Sequence, residues 1–220
     1  MKTRADADAI SERVRAAENV VVIGAGFIGL EFAGVAASLG ARVHVLELGD
    51  RPMARALSHT TSQRFREAHE GWGVTFDFEQ GLQRIEGEDG QVRRVITADG
   101  RVLEADLVVY GIGVIPNTSL AEAAGLAIEN GIRVDEHLQT DDPNISAVGD
   151  AVNFPCVQLA SAPTRLESVQ NAADQARCLA ARLMGTAVPY AITPWFWSDQ
   201  GDLKLQIVGM SNGYNNTVEL

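Results

Sequence analysis

Residues 19–51 read NVVVIGAGFIGLEFAGVAASLGARVHVLELGDR, and this stretch decides the fold. Val20 to Ile23 is an unbroken β-branched run, the pattern of a strand covered on both faces in a parallel sheet. Gly24, Gly26 and Gly29 then space out a GxGxxG turn, with Phe27 and Ile28 between the last two glycines. Ile28, Phe32, Val35, Ala36 and Leu39 recur at helical spacing, and Gly40 supplies a C-cap. Arg42 to Leu46 forms the next strand. The whole predicts a βαβ unit of about thirty residues.

Each glycine of the turn has its own physical task. Gly24 permits the tight turn, Gly26 lets the backbone approach a pyrophosphate, and Gly29 lets the helix pack close to the strand. The helix N-terminus offers N–H groups and a positive dipole end to phosphate. GxGxxG alone is a weak signal. Here it follows a buried strand, opens a helix and is followed 23 residues later by Glu47, at the end of the second strand. A carboxylate there accepts hydrogen bonds from an adenosine ribose and repels a 2′-phosphate, favouring NAD over NADP. Arg42, Arg51 and Arg55 lie close by in sequence and moderate that preference. Glu31 has two readings: a helix-start carboxylate complementing the dipole, or a polar group that fixes a nicotinamide amide.

Outward from this unit, residues 6–18 predict a short helix and residues 56–70 a polar one. Residues 73–107 alternate in short segments separated by turn signals, which predicts a small antiparallel meander. Residues 106–110 return to a buried strand that ends at Gly111-Ile112-Gly113, and a short helix follows Pro116. Within residues 140–150 a short apolar strand ends at Gly149-Asp150. From the residues alone, Asp150 is a turn or cap residue. Residues 165–184 predict a long amphipathic helix with Leu166, Val169, Ala173, Ala176, Leu179, Ala180 and Leu183 on one side. The last segment predicts two strands joined by a glycine–asparagine turn. Trp195-Phe196-Trp197 is either core packing or an aromatic docking wall.

Composition excludes several classes. The chain has 220 residues, 46% of them hydrophobic and 21% charged, as in a globular protein. A net charge of −11 argues against nucleic acid or an anionic membrane as partner. No apolar run approaches the roughly 20 residues of a membrane span, and the charged N-terminus lacks a signal-peptide core. Cys156 and Cys178 form neither a CxxC nor a disulfide framework, so the expected compartment is the cytoplasm. The four histidines, at 44, 59, 69 and 137, lack metal-ligand spacing, so no metal is expected.

Five runs in order, GAGFIGLEFA, GIGVIPNT, QTDDPNISAVGDA, RLESVQNAADQA and PWFWSDQ, resemble the FAD-dependent ferredoxin reductase family that serves Rieske dioxygenases and bacterial cytochromes P450. The likeness runs from about Thr3 to the end. It implies an α/β fold of the glutathione-reductase type, with a doubly wound, Rossmann-like NAD domain carrying an antiparallel meander and part of an FAD domain. Residues 1–18 would be an FAD-domain remnant or linker helix, 19–110 the NAD domain, 111–193 a second FAD-domain segment and 194–220 the start of a C-terminal domain. The resemblance also implies a reaction in which NADH reduces FAD, and FAD passes single electrons to a ferredoxin-like iron–sulfur protein. By position, Gly24, Gly26 and Gly29 would hold the NAD pyrophosphate, with Phe27 and Ile28 in the same turn. Glu47 and Arg55 would hold the adenosine end and Glu31 the nicotinamide side, while Gly111 and Gly113 would line the crevice. Gly149 and Asp150 would meet the ribityl or pyrophosphate side of FAD. Glu167 and Ser168 would lie near the flavin, and Trp195 and Trp197 beside its ring system where the partner docks. The family opens with a second GxGxxG for FAD that is absent here, so the sequence looks like an internal fragment of about half the enzyme. Other readings are a same-fold flavin reductase, such as an NADH oxidase or a nitrite reductase module, and a non-catalytic NAD-binding fragment.

Overall fold

The computed structural model describes residues 3–211 and 213–218. They fall into two compact units. The first holds the chain up to Gly113 together with Ser198–Lys204, and the second holds Val114–Trp197 together with residues 205–216.

The first unit opens with helix α1 (Arg4–Ala16), held at its start by a capping box between Thr3 and Asp6. Its centre is a four-stranded parallel sheet. Strands β1 (Asn19–Ile23) and β2 (Arg42–Leu46) flank helix α2 (Phe27–Ser38), as the sequence predicts. Gly40, at φ +92°, ends α2, and the Ala41 N–H reaches back to the Ala36 carbonyl to close the helix end. Helix α3 (His59–Gly71) starts at Ser58, whose hydroxyl accepts the Thr61 N–H.

Strand β3 (Thr75–Asp77) corrects the expectation for residues 73–107. It belongs to the parallel sheet, paired with β2, and not to the meander. A period of two marks a half-covered strand but carries no information about direction or neighbour. The antiparallel meander itself is β4 (Leu82–Glu88), β5 (Gln91–Thr97) and β6 (Val102–Glu104). Strand β7 (Leu107–Tyr110) then closes the parallel sheet in the order β3-β2-β1-β7.

Alternation along β1 assigns its two faces. Val21 and Ile23 pack with Leu46, Val95 and Ala105, so the meander covers one face of the parallel sheet. α2 covers the other, with Leu30, Ala33 and Ala36 fully buried. Each large side chain buried in this way contributes about 1.5–3 kcal/mol.

In the second unit, α4 (Ser119–Ala123) is one short turn of helix. Strand β8 (Ile132–Arg133) runs parallel to β9 (Val152–Cys156), which pairs antiparallel with β10 (Ala162–Thr164). The apolar strand expected before Gly149 does not form: residues 140–148 contribute only an isolated bridge between Gln139 and Ser146. The Thr140 hydroxyl accepts the Asp142 N–H and Asp142 accepts the Asn144 N–H, so local side chains take the backbone groups a ladder would use.

Helix α5 (Val169–Leu183) starts four residues later than expected, with Ser168 as N-cap accepting the Asn171 N–H. Its buried face is also different. Asn171 and Gln175 are fully buried, whereas Val169 and Leu183 are 68% and 74% exposed. The polar stripe is tolerated inside because its acceptor oxygens are partnered: Asn171 Oδ1 accepts from Tyr190 Oη, and Gln175 Oε1 accepts the Gly149 N–H. Strands β11 (Trp195–Gln200) and β12 (Leu203–Val208) form the final hairpin. Its joining turn is Gly201-Asp202 rather than a glycine–asparagine pair, with Gly201 at φ +58°. Among the described residues no helix is long and apolar enough to cross a membrane.

Candidate functional site

The first candidate site lies at the C-terminal ends of β1, β2 and β7. Gly24 (φ +98°) turns the chain out of β1, and Gly26 caps α2 with no side-chain hydrogen bond. Three backbones meet here at distances that exclude side chains. A Cβ on Gly29 would sit 2.2 Å from the Gly24 carbonyl oxygen. One on Gly24 would sit 2.6 Å from the Gly111 oxygen, and one on Gly111 2.9 Å from the Gly29 Cα. Gly24, Gly29 and Gly111 are therefore required by the packing of the fold itself.

Gly26 differs. A Cβ there would meet only the Gly111 oxygen at 3.6 Å, an ordinary contact, and its φ of −78° suits any residue. Nothing in the chain requires glycine at this helix start. A ligand that needs the backbone bare does, and the uncapped helix N-terminus behind it suits a phosphate.

Glu47 leaves the end of β2 and turns back into this site. Its Oε2 accepts the Ala25 N–H and its Oε1 the Gly49 N–H, each at 2.6 Å. The pair of charge-assisted bonds fixes the carboxylate, and each oxygen keeps lone-pair capacity for a hydroxyl. Ile28, Tyr110 and Ile112 stand exposed at the same strand ends, at 62%, 56% and 69%. They offer apolar walls to planar rings. These residues fit a dinucleotide: a bare helix start for its phosphates, a fixed carboxylate for a ribose and apolar surface for its bases.

The remaining residues expected here are less closely gathered. Arg55 is exposed on the loop after β2 and makes no hydrogen bond or ion pair within the described residues. Arg51, beside it in sequence, is held by Asp50 and the Ala54 carbonyl instead. Gly113 is exposed at φ +99°, and a Cβ there would meet nothing within 4 Å among the described residues. Phe27 is half-buried at the first helical position.

Glu31 lies beyond the first turn of α2, so the reading as a helix-start carboxylate falls away. Its Oε1 accepts a hydrogen bond from Ser198 Oγ at 2.6 Å. Ser198 and Gln200 are buried polar residues that the sequence reading passed over. Their signal was a polar pair two apart on one face of a strand.

The second candidate site lies in the second unit. A cavity of about 190 Å³ is lined by Asp150, Glu167, Ser168, Val169, Phe196 and Trp197. Four residues expected around a flavin thus come together from three separate stretches of sequence. Gly149, at φ +88°, turns the chain so that Asp150 reaches the cavity, and its N–H is held by Gln175. Among the described residues Gln175 Nε2 is buried without a hydrogen-bond partner, although Gln175 does not itself line the cavity. Burial pushes the Asp150 carboxyl above its ordinary value. The Glu167 charge adds to the rise and Arg165 opposes it. Arg165, which the sequence reading missed, bonds the Asp150 carbonyl and Glu167 and so holds the rim together. Trp195 and Trp197 stack at 5.1 Å. Carboxylates, a capping hydroxyl and indole surface suit a hydroxylated chain next to an aromatic ring. The volume is below that of a pocket enclosing a whole cofactor, so these residues fit one portion of FAD.

Among the described residues no cluster of three or more His, Cys, Asp or Glu could hold a metal ion. His44 is tied to Asp77 and Thr75, and His69 is fully buried.

Comparison with known proteins adds the family. A family model described as pyridine nucleotide-disulphide oxidoreductase matches residues 1–176, and one described as reductase C-terminal matches residues 195–219. Rhodocoxin reductase of Rhodococcus erythropolis is 48% identical over 218 residues, covering 99% of this chain and 51% of that protein. A crystal structure of a ferredoxin reductase from Rhodopseudomonas palustris superposes with a TM-score of 0.94 at 48% identity, over 97% of this chain and 53% of that one. The covalent putidaredoxin reductase–putidaredoxin complex matches with a TM-score of 0.92 at 41% identity, over 98% of this chain and 52% of that one. The chain spans about half the length of the curated relatives it matches.

Proposed function

The chain belongs to the pyridine nucleotide-disulphide oxidoreductase family, and from that premise we propose that it is the nicotinamide-binding part, with a segment of the flavin-binding part, of an NADH-dependent reductase of a ferredoxin-like iron–sulfur protein. FAD, when bound, supplies the step from a two-electron donor to a one-electron acceptor. The protein binds and orients. In this reading Gly24 to Gly29, with Phe27 and Ile28, cradle the pyrophosphate of NADH. Glu47 and Arg55 hold its adenosine end, Glu31 its nicotinamide side, and Gly111 and Gly113 border the crevice. Gly149, Asp150, Glu167 and Ser168 hold part of FAD, and Trp195 and Trp197 face the ring system and the protein partner.

The observation that carries the reading is Gly26: a glycine that the chain's own packing does not need, at an uncapped helix start, beside a carboxylate fixed by two backbone amides. The relatives' names support the choice of acceptor. We assign residues 1–18 to an FAD-domain remnant or linker helix, 19–110 to the NAD domain, 111–193 to a second FAD-domain segment and 194–220 to the start of a C-terminal domain. We place the protein in the cytoplasm, where its two unpaired cysteines suit a reducing compartment.

The test is a titration of the purified chain with NADH, NADPH and FAD, followed by protein fluorescence and flavin absorbance. NADH binding tighter than NADPH, with a yellow complex on adding FAD, is the expected result. A folded chain that binds no NADH overturns the assignment.

A further inference from the structure

A directional chain of hydrogen bonds runs through the interior of the first unit and ends at Glu31. His69 Nε2 lies 2.9 Å from Gln200 Oε1. Gln200 Nε2 donates to Ser198 Oγ at 3.0 Å and to the Met53 sulfur at 3.4 Å. Ser198 Oγ then donates to Glu31 Oε1 at 2.6 Å. His69 and Gln200 are fully buried, and Ser198 is 1% exposed.

The acceptor at Gln200 Oε1 requires the His69 proton on Nε2. Burial lowers the basicity of this ring, against the smaller opposing effect of its bond to Gln200, and so favours the neutral donor. Trp72 packs edge-on against His69 at 4.7 Å. Gly201 lies so close to the same indole that a Cβ there would approach it to 2.6 Å. The hairpin tip is thereby seated at one position. Burying these polar groups, with His69 Nδ1 left without a partner among the described residues, costs desolvation that an apolar core would not. Only their outcome distinguishes them: a half-exposed carboxylate whose Oε1 is fixed and whose Oε2 takes no hydrogen bond within the described residues.

We propose that Ser198 and Gln200, on the hairpin of β11 and β12, are positioning residues that hold the Glu31 carboxylate for the carboxamide of a bound nicotinamide ring. The proposal rests on the reading of Glu31 as facing the nicotinamide side of the dinucleotide site. Gln200 orients the Ser198 hydroxyl, Ser198 fixes Oε1, and Oε2 is left to accept the carboxamide N–H. The ligand is the nicotinamide half of NADH, and the adenosine half is outside the reach of this chain of bonds.

The experiment compares two ligands on the 220-residue chain: NADH, and ADP-ribose, which lacks the nicotinamide. Ser198→Ala is expected to weaken NADH roughly tenfold, the scale of one hydrogen bond to a charged group, and to leave ADP-ribose within about twofold. Ser198→Thr, which keeps the hydroxyl, restores NADH affinity. The Glu31→Ala/Ser198→Ala double variant binds NADH no more weakly than Glu31→Ala alone. Equal weakening of both ligands by Ser198→Ala overturns the proposal, because the hydroxyl would then act only on the fold. No weakening of either ligand also overturns it. Should Ser198→Ala lose its fold, Ser198→Cys, with similar volume and a weak donor, is read in the same way. If Glu31→Ala itself leaves NADH affinity unchanged, the nicotinamide-side reading fails, and that failure is visible before any Ser198 variant is considered.

Discussion

Gly26→Ala and Gly29→Ala place the same methyl group three residues apart, and the two variants should fail in opposite ways. At Gly29 the new Cβ would lie 2.2 Å from the Gly24 carbonyl oxygen, a backbone atom that no rotamer change moves. To restore ordinary contact α2 must lift from the turn by about 1.2 Å, and interiors resist such dilation. Overpacking of this kind costs about 1–3 kcal/mol, and the helix propensity gained by alanine offsets about 1 kcal/mol. A 2.2 Å contact with a backbone atom falls at the upper end of that range, and the net loss of about 2 kcal/mol lowers the thermal midpoint by roughly 4–8 °C for a chain of this size. At Gly26 the nearest atom would be 3.6 Å away and the backbone is extended, so alanine fits. Replacing glycine at an N-cap costs up to about 1 kcal/mol, and the reduced freedom of the unfolded chain offsets about 0.4–1 kcal/mol. The midpoint should hardly move. Yet the methyl projects where a pyrophosphate would approach, and losing even one hydrogen bond to a charged oxygen costs about 1.5–3 kcal/mol. NADH affinity should fall at least about tenfold. Thermal melting and an NADH fluorescence titration on the two variants decide the matter. A normally folded Gly26→Ala that binds NADH like the parent refutes the cradle reading, and a Gly26→Ala that melts as low as Gly29→Ala refutes the packing argument.

Glu47→Ala removes both the acceptor of two backbone amides and the charge expected to repel a 2′-phosphate, so the NADH-over-NADPH preference should fall by about tenfold; an unchanged ratio excludes Glu47 from the adenosine end. Although burial raises the Asp77 carboxyl, its hydrogen bonds from Arg101 and His44 prevail and hold it below its ordinary value of 3.8. Its stabilising contribution is therefore complete above that value and is lost as pH falls through the lower, folded one. The difference in thermal midpoint between the parent and Asp77→Asn should shrink on acidification below pH 3.8, and a constant difference would contradict the ion pair. Asp150 carries the opposite sign. Its raised carboxyl destabilises the folded chain above 3.8, so Asp150→Asn should melt higher at neutral pH, lose that advantage in acid, and bind FAD more weakly. A lower midpoint at neutral pH would show that the carboxylate is structural.

The βαβ unit was legible because its signals are local. A β-branched run, three glycines and an acid at the second strand end all fall within one short stretch, and each has a single physical reading there. Direction was not legible. Thr75–Asp77 alternates as an edge strand does, and the alternation is the same whether the strand joins β2 or the meander. The buried face of α5 was misjudged for a related reason. Asn171 and Gln175 are inside because Tyr190 and Gly149 receive them, and a polar residue's partner cannot be read from spacing along its own helix.

The site divides along the same line. Asp150, Glu167, Ser168 and Trp197 were named one by one, from a resemblance, and only the fold gathers them around one cavity. Ser198 stands 167 residues from Glu31 in sequence, and no local pattern links them. What the sequence did offer was a strand, Trp195–Gln200, with two polar residues turned inward at a spacing of two. Buried polar groups are expensive unless answered, so such a pair is itself a statement that partners exist elsewhere. The three motif glycines make the complementary case. They look alike in the sequence, but the packing of the fold accounts for Gly24 and Gly29 and leaves Gly26 without an internal reason. A residue that the chain does not need for itself is where a ligand's requirement shows most directly, and that is why the case for a bound dinucleotide rests on Gly26 more than on the motif as a whole.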